Sequence, residues 1–291
     1  MNKTASKFIF SLLNVDFVRL NKSWNYRNVI SPFYRLYLID KGGGTLETPS
    51  ESQLLEKGHL YLIPAFTMCN YNCNSYLHQY YLHIAEESTD GASLFLWNRK
   101  IFKVRASKID VGNFRRLLRI NPGRGLLKSE DPRDYERGSI IESFQELNNL
   151  LHISAYMETQ GIILQLLARF LASEDFQMER RTPIPAKITN ALEYIQANLH
   201  NEITVGHLAR MSNQNPDYFS RIFSEHLSES PLTYIQSRRI ERAQFLITTT
   251  DLSLTKIADQ TGFQSLSYFS KVFKVVTGKT ASEYKGSKRE V

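Results

Sequence analysis

The stretch SYFSKVFK runs from Ser267 to Lys274, and DYFSRIFS runs from Asp217 to Ser224, 50 positions earlier. The match extends upstream, where Ala209 corresponds to Ala258. The second copy is one residue longer, because it has TGFQ where the first copy has SNQ. Insertions are tolerated in turns. Each copy is therefore predicted to be a helix, a turn and a second helix.

Helix start signals support this division of the chain. Residues with a capping oxygen precede the predicted helices: Thr204, Asn215, Ser230, Ser253 and Ser265. The predicted helices span 204–211 and 215–227 in the first copy, and 253–261 and 265–276 in the second. The segment between the copies, from Pro231, is predicted to be one helix of about 17 residues, or about 25 Å. Such a helix would hold the two copies at a fixed distance.

The second helix of each copy has an apolar side and a polar side. Apolar residues three and four apart predict the buried sides: Phe219, Ile222 and Phe223, then Phe269, Val272 and Phe273. The opposite sides carry short polar residues and cations: Asp217, Ser220, Arg221 and Ser224, then Ser267, Ser270, Lys271 and Lys274. Such a face fits the major groove of DNA. The alternative is a helical repeat without a nucleic-acid role, although two copies are too few for a solenoid.

Charge is distributed unequally between the copies. From Lys256 to the C-terminus there are 7 Lys and Arg against 3 Asp and Glu, whereas Ala186–Thr255 holds 6 against 7. The second copy is therefore expected to supply most of the attraction to phosphate. The first copy would depend on Arg221, whose guanidinium can form a fork onto guanine, with three more arginines nearby: Arg238, Arg239 and Arg242.

The bulk composition fits a globular protein with a polyanionic partner. The chain has 291 residues, a formal net charge of +7 and a pI of about 9.3. Cys69 and Cys73 alone cannot supply four zinc ligands, so we interpret them as reduced thiols. We find no secretory signal and no run of about 18 apolar residues, so we expect no membrane span and a cytoplasmic location.

The first half of the chain has a different period. Residues 34–84 favour short strands such as YRLYLID, HLYLIP and HQYYLHIA, which are rich in Tyr, Leu and Ile. Several short strands at close spacing predict a small barrel or sandwich. Two helices are predicted at 139–150 and 153–173. The proline-containing segment DFQMERRTPIP then indicates a linker.

The chain from residue 184 resembles the AraC/XylS family of bacterial transcription regulators. The resemblance rests on LARMS, DYFSRIFS and, most specifically, KIADQTGFQSLSYFSKVFK. It implies base reading by Asp217, Ser220 and Arg221 in the first unit, and by four residues in the second: Leu266, Ser267, Tyr268 and Lys271. Asp217 could accept a hydrogen bond from a cytosine amino group or cap its helix, and capping is the favoured interpretation.

The resemblance also implies the overall architecture, an α+β protein of two domains. A cupin-like β-barrel sensor would span residues 1–125, followed by a helical dimerisation region and linker at 126–183. An all-α DNA-binding domain with two helix-turn-helix units would span 184–291. Gly58–Pro64 matches the G-x5-P of a cupin motif, but Cys69 stands where a metal-binding cupin has histidine. The paired histidines of the first cupin motif are also missing, so we expect no metal, no cofactor and no enzymatic activity.

Alternation along the strands leaves two arrangements open for the sensor domain. Three pairs of residues share strand faces: Arg35 with Tyr37, His59 with Tyr61, and Tyr81 with His83. If these faces point inward, they form a polar aromatic pocket for a hydroxylated or anionic effector. If they point outward, Leu60, Leu62, Leu82 and Ile84 fill the core and no pocket exists.

The expected function is that of a sequence-specific DNA-binding transcription activator that responds to a small-molecule or metabolic signal. The expected partners are double-stranded DNA, a second copy of the chain, a small-molecule effector and RNA polymerase. One alternative is a regulator whose barrel binds no ligand and serves protein contacts. A cupin-type enzyme is the remaining alternative.

Overall fold

The computed structural model describes residues 9–87, 94–95, 99–126, 138–174, 176, 185–227 and 229–286. They form two compact units, one within 9–176 and one within 185–286. The strands are β1 Ile9–Asn21, β2 Asn25–Val29, β3 Tyr34–Gly42, β4 Gly44–Glu47, β5 Ser52–Leu55, β6 His59–Ile63, β7 Cys69–Asn72, β8 Tyr76–Glu87 and β9 Phe102–Arg105. The helices are α1 Lys108–Ile120, α2 Gly138–Asn149, α3 Ile153–Leu171, α4 Ala186–Ala197, α5 Val205–Met211, α6 Pro216–Leu227, α7 Pro231–Thr249, α8 Leu254–Gln260, α9 Leu266–Thr277 and α10 Ala281–Gly286.

The first unit contains two antiparallel sheets that face each other. One has the strand order β1-β8-β3-β6-β9, and the other has the order β2-β7-β4-β5. One apolar cluster fills the space between them, with Tyr37 and Ile63 from the larger sheet and Leu46 and Tyr71 from the smaller. The sequence predicted a small barrel or sandwich. In the described residues the strands form these two separate sheets.

The larger sheet is buried on both faces. Its second face, which includes Leu36, Leu62 and Leu82, packs in one cluster with Phe114 of α1 and Leu166 of α3. Neither of the two arrangements left open by the sequence describes this sheet fully, because both of its faces are covered. The leucine face packs in the cluster that includes α1 and α3, while the face with Arg35, Tyr37, Tyr61, Tyr81 and His83 lies between the sheets.

The KGGG sequence forms the corner where the chain leaves one sheet for the other. Gly42 has φ of +72°, and a Cβ built on it would lie 2.1 Å from the carbonyl oxygen of Tyr76. A Cβ on Gly44 would lie 2.4 Å from the carbonyl oxygen of Asn72. Only glycine fits such a close backbone approach.

Several elements of the first unit lie outside the sequence prediction. Strand prediction began at residue 34, yet β1 pairs with β8 along nearly its whole length. Helix α1 was also missed. The two helices predicted at 139–150 and 153–173 are confirmed as α2 and α3.

The second unit is entirely helical in the described residues, and α7 is shared between its two cores. The first core combines Tyr234 and Ile235 of α7 with Phe219 and Phe223 of α6. The second core combines residues from the other end of α7, Ile240, Ala243 and Ile247, with Phe269 and Phe273 of α9. The helix has 19 residues, which corresponds to about 28 Å.

The predicted caps and turns are confirmed. Side-chain oxygens of Thr204, Ser230, Ser253 and Ser265 each accept a backbone N–H in the first turn of their helices. The extra residue of the second copy lies in a turn with Gly262 at φ +78°. The pairs α5–α6 and α8–α9 are therefore two helix-turn-helix units.

Candidate nucleic-acid interface and inter-sheet cavity

Helix α6 presents the first predicted reading surface. Asp217 and Arg221 are exposed, and the side chain of Arg221 is 62% accessible. Ser220 and Ser224 are half-buried, and their hydroxyls donate to the carbonyl oxygens of Pro216 and Ser220, at 2.7 and 2.8 Å. Each hydroxyl oxygen keeps a lone pair that can accept a hydrogen bond from outside.

Helix α9 presents the second surface, which is more exposed. Leu266 and Tyr268 are 41% and 45% accessible, and three further predicted residues are exposed: Ser267, Lys271 and Lys274. Ser270 is half-buried and donates to the carbonyl oxygen of Leu266 at 2.8 Å. The amide of Gln236 on α7 donates to the hydroxyl of Tyr268, which fixes that ring against the linking helix.

Asp217 does not cap its helix. The side chain of Asn215 accepts from the backbone N–H of Tyr218 at 2.8 Å, so Asn215 is the capping residue. Asp217 lies in the first turn with its side chain exposed. A carboxylate there is favoured by the helix dipole. The capping interpretation was therefore wrong, and the side chain is accessible to an outside donor.

Three arginines near Arg221 were expected to support DNA binding by the first unit, and two of them have internal partners instead. Arg238 is 7% accessible and forms an ion pair with Glu241 at 2.6 Å. Arg239 donates to the carbonyl oxygens of Leu199 and Asn201, at 3.0 and 2.6 Å, and burial lowers its pKa. Of the three, Arg242 alone is exposed.

One exposed residue of the first surface was missed. Tyr218 is 43% accessible and occupies the position that Tyr268 has in the second copy. The guanidinium carbon of Arg221 lies 5.2 Å from the centre of the Tyr218 ring. The repeat itself could have identified Tyr218, since the two tyrosines are 50 positions apart.

A cavity of about 30 Å³ lies against the inter-sheet face of the larger sheet. Its walls are apolar, aromatic and amide side chains: Val18, Leu20, Trp24, Tyr37, Gln79, Tyr81, His83 and Leu126. Three of the six predicted effector residues, Tyr37, Tyr81 and His83, therefore line it. The other five lining residues were missed. Alternation along β8 could have identified Gln79, which shares a strand face with Tyr81 and His83, whereas Trp24 and Leu126 lie outside the strands and reach this face only through the tertiary fold.

The other three predicted effector residues lie elsewhere. Arg35 is fully buried and donates to the hydroxyl of Tyr71 and to the carbonyl oxygen of Thr67. Tyr61 donates to the carbonyl oxygen of Leu54 at 2.6 Å. His59 is half-buried at the start of β6, beside Lys57.

Burial controls the charge state of the cavity wall. Burial, reinforced by the nearby positive charge of Arg35, holds the pKa of His83 well below its usual 6.5, so the imidazole is neutral. Gln79 is 3% accessible, and its Oε1 accepts no hydrogen bond from the described residues. An unpaired buried acceptor is costly. A donor group brought by a ligand would therefore be favoured there.

Both cysteines are buried free thiols. Burial raises the pKa of Cys69 to about 11, so its thiol stays protonated at neutral pH. In the described residues no cluster of three or more His, Cys, Asp or Glu side chains is arranged to hold a metal ion. None of the helices in those residues is both long and apolar enough to cross a membrane.

Two helix-turn-helix units joined by one shared helix define the class of the second unit, a tandem helix-turn-helix domain. Residues 208–287 match the family model described as a helix-turn-helix domain. An uncharacterised HTH-type transcriptional regulator of Staphylococcus aureus is 26% identical over 134 residues, which is 45% of this chain and 18% of that protein. The chain thus spans less than a fifth of that relative's length.

Two other similarities extend over most of the chain. The raffinose operon transcriptional regulatory protein RafR of Pediococcus pentosaceus is 23% identical over 266 residues, or 89% of this chain and 87% of that protein. ToxT from Vibrio cholerae, solved with (E)-4-(8-methylnaphthalen-1-yl)but-3-enoic acid, has a TM-score of 0.52 and 14% identity, with 97% and 99% of the two chains covered. This last likeness establishes the two-domain fold.

Proposed function

We propose that the protein is a cytoplasmic transcription regulator, an activator, that binds DNA through both helix-turn-helix units. Residues 1–125 would sense a signal, residues 126–183 would dimerise and link, and residues 184–291 would bind DNA. The proposal rests mainly on one observation: α6 and α9 each present an exposed polar face with a cation at the corresponding position, Arg221 or Lys271, and the two helices pack against opposite ends of α7. We assign DNA contacts to the ten predicted residues of these helices and add Tyr218.

The DNA proposal can be tested with the full-length chain and a randomised duplex library. A selected duplex should bind with an affinity that falls steeply as salt rises, because counterions are released. Arg221→Ala and Lys271→Ala should each weaken binding by about 1–3 kcal/mol. Arg119→Ala, at an exposed position of α1 in the other unit, is the matched control. Selection of no duplex, or equal loss in all three variants, would contradict the proposal.

We assign the dimer contact to the exposed side of α3. Ile153, Met157 and Leu164 are 64%, 67% and 50% accessible, and their spacing of four and seven residues places them on one side of the helix. Exposed Gly161 between them would let a second helix approach closely. The opposite side, with Ile163 and Leu166, is already buried in the unit's own core.

The proposed dimer contact predicts that a charged substitution within it lowers the mass of the particle in solution. Met157→Glu should convert a dimer into a monomer in sedimentation measurements, because a charge would be buried in the apolar contact. Ile109→Glu changes an equally exposed apolar residue, 70% accessible on α1, and should leave the mass unchanged. A wild-type chain that sediments as a monomer at all concentrations would refute this contact.

We assign effector binding to the inter-sheet cavity. A fitting ligand is neutral and carries a hydroxyl or amide N–H that donates to Gln79 Oε1, with aromatic contacts from Trp24 and Tyr81. The cavity has room for roughly one or two water molecules. Larger ligands therefore require movement of Leu126, whose backbone N–H donates to the Tyr81 hydroxyl at 2.9 Å.

Thermal shift measurements test the effector and its class. Neutral sugars and hydroxylated aromatics are compared with carboxylic acids, the class of the compound in the ToxT structure. A ligand that binds the folded chain raises the melting temperature. Gln79→Met should remove that response and raise the melting temperature of the unliganded chain, because it deletes an unpaired buried oxygen. If no compound shifts the wild type, the alternative of a domain used only for protein contacts is favoured.

A further inference from the structure

Arg221 of α6 forms an ion pair within its own helix. Arg221 Nη1 lies 3.2 Å from Glu225 Oε1, one turn further along α6. On its other side, the guanidinium carbon lies 5.2 Å from the centre of the Tyr218 ring. The Arg221 and Glu225 side chains are 62% and 52% accessible, so the pair lies on the surface assigned to DNA.

The second copy lacks this arrangement. Lys271 corresponds to Arg221, and Val275 stands 50 positions after Glu225. Val275 is 78% accessible and offers no charge. Lys271 is exposed and forms no ion pair with any described residue. The two copies therefore present their cations differently, one engaged with a carboxylate and the other open to solvent.

The pair contributes little to the helix itself. Oppositely charged residues four apart stabilise a helix less when the cation precedes the anion, as it does here. The guanidinium fork that binds a carboxylate is the same fork that reads the edge of guanine. The contact with Glu225 uses Nη1, so a fork onto guanine that needs both Nη groups requires Nη1 to exchange the carboxylate for the base.

We propose that Glu225 competes with DNA for Arg221 and so lowers the affinity of the first unit relative to the second. This inference rests on the proposed function, since it concerns the same DNA surface. In the unbound protein Arg221 is engaged by Glu225, and binding exchanges the carboxylate for a base. The second unit needs no such exchange, because Lys271 forms no ion pair in the part of the chain that the structure describes.

A double-mutant cycle on the full-length chain tests the competition. Glu225→Gln should tighten binding to the library-selected duplex about two- to fivefold, the range of an exposed ion pair. In the Arg221→Ala background the same substitution should give no gain. An equal gain in both backgrounds would mean general charge repulsion and would overturn the inference, as would no gain in either. Glu193→Gln, on an exposed position of α4, controls for the change in net charge.

A reciprocal variant installs the same arrangement in the second unit. Val275→Glu places a carboxylate four residues after Lys271 and should weaken binding, with less effect in the Lys271→Ala background. An equal loss in both backgrounds would argue against competition. If the wild type selects no duplex, the proposed function fails together with this inference. If it does bind and the cycle shows no coupling, only the inference fails.

Discussion

The buried histidine of the inter-sheet face predicts a specific dependence of stability on pH. His83 is 2% accessible, with the Phe33 and Tyr81 rings 5.1 and 5.3 Å from its own. Burial and the charge of Arg35 hold its pKa well below 6.5 in the folded state, whereas the unfolded chain has the ordinary value. Below pH 6.5 the unfolded state binds a proton that the folded state does not, so stability is lost as the pH falls.

The size of the effect follows from proton linkage. Between the two pKa values the free energy of unfolding falls by about 1.4 kcal/mol for each pH unit. Integrated from about pH 7.5 to about pH 5.5, the loss from one such histidine is about 1.4 kcal/mol. Replacement by phenylalanine keeps an aromatic ring among aromatic neighbours and removes the titration. The variant should lose that amount of pH dependence, whatever its stability at neutral pH.

Urea unfolding followed by tryptophan fluorescence measures this in the intact chain. Trp24 is 5% accessible and lies in the first unit, so its fluorescence reports on the unfolding of that unit. The free energy of unfolding is measured for the wild type and for His83→Phe at both pH values. The change between the two pH values is larger in the wild type by the contribution of the histidine. If the variant loses as much stability on acidification as the wild type does, His83 does not remain neutral in the fold and the reasoning is refuted.

Other predictions concern glycines and a helix cap. Gly44→Ala should destabilise the first unit by about 1–3 kcal/mol in the same urea assay, because the new Cβ would lie 2.4 Å from a backbone oxygen. Gly112→Ala, in α1 with no atom within 4 Å of the added Cβ, should instead stabilise by about 0.5–1 kcal/mol. Equal effects of the two changes would contradict the geometry of the KGGG corner. Ser265→Ala removes the oxygen that caps α9 and should lower the free energy of unfolding by about 1 kcal/mol. Circular dichroism of the thermal transition measures this loss, and an unchanged transition would show that the cap is dispensable.

The second unit was predictable because its signals are local. Capping residues, turn residues and apolar spacing all lie within short windows, and the repeat gave two independent instances of each. The individual arginines were less predictable. Arg221 and Arg238 look alike in sequence, yet Arg238 is buried against Glu241. Which side of α7 faces the cores depends on tertiary packing and cannot be inferred from one helix alone.

The first unit was harder to predict for a different reason. A strand with alternating residues indicates which side chains share a face, but not whether one face or both are covered. In β3 and β8 both are covered, so Leu36 and Tyr37 are equally buried. Strand β1 was missed because its pairing with β8 shifts between Leu12 and Asn14, which interrupts the alternation that would have identified it.

The sharing of α7 between two cores has a consequence for evolution. A one-residue insertion near the middle of this helix would turn one helix-turn-helix unit by about 100° relative to the other and move it by about 1.5 Å. On the proposed function, such a change would put the two units out of phase with the double helix. The length of α7 is thus expected to resist insertion and deletion far more than the loops around it, and new binding sites are expected to arise by exchanging side chains on α6 and α9.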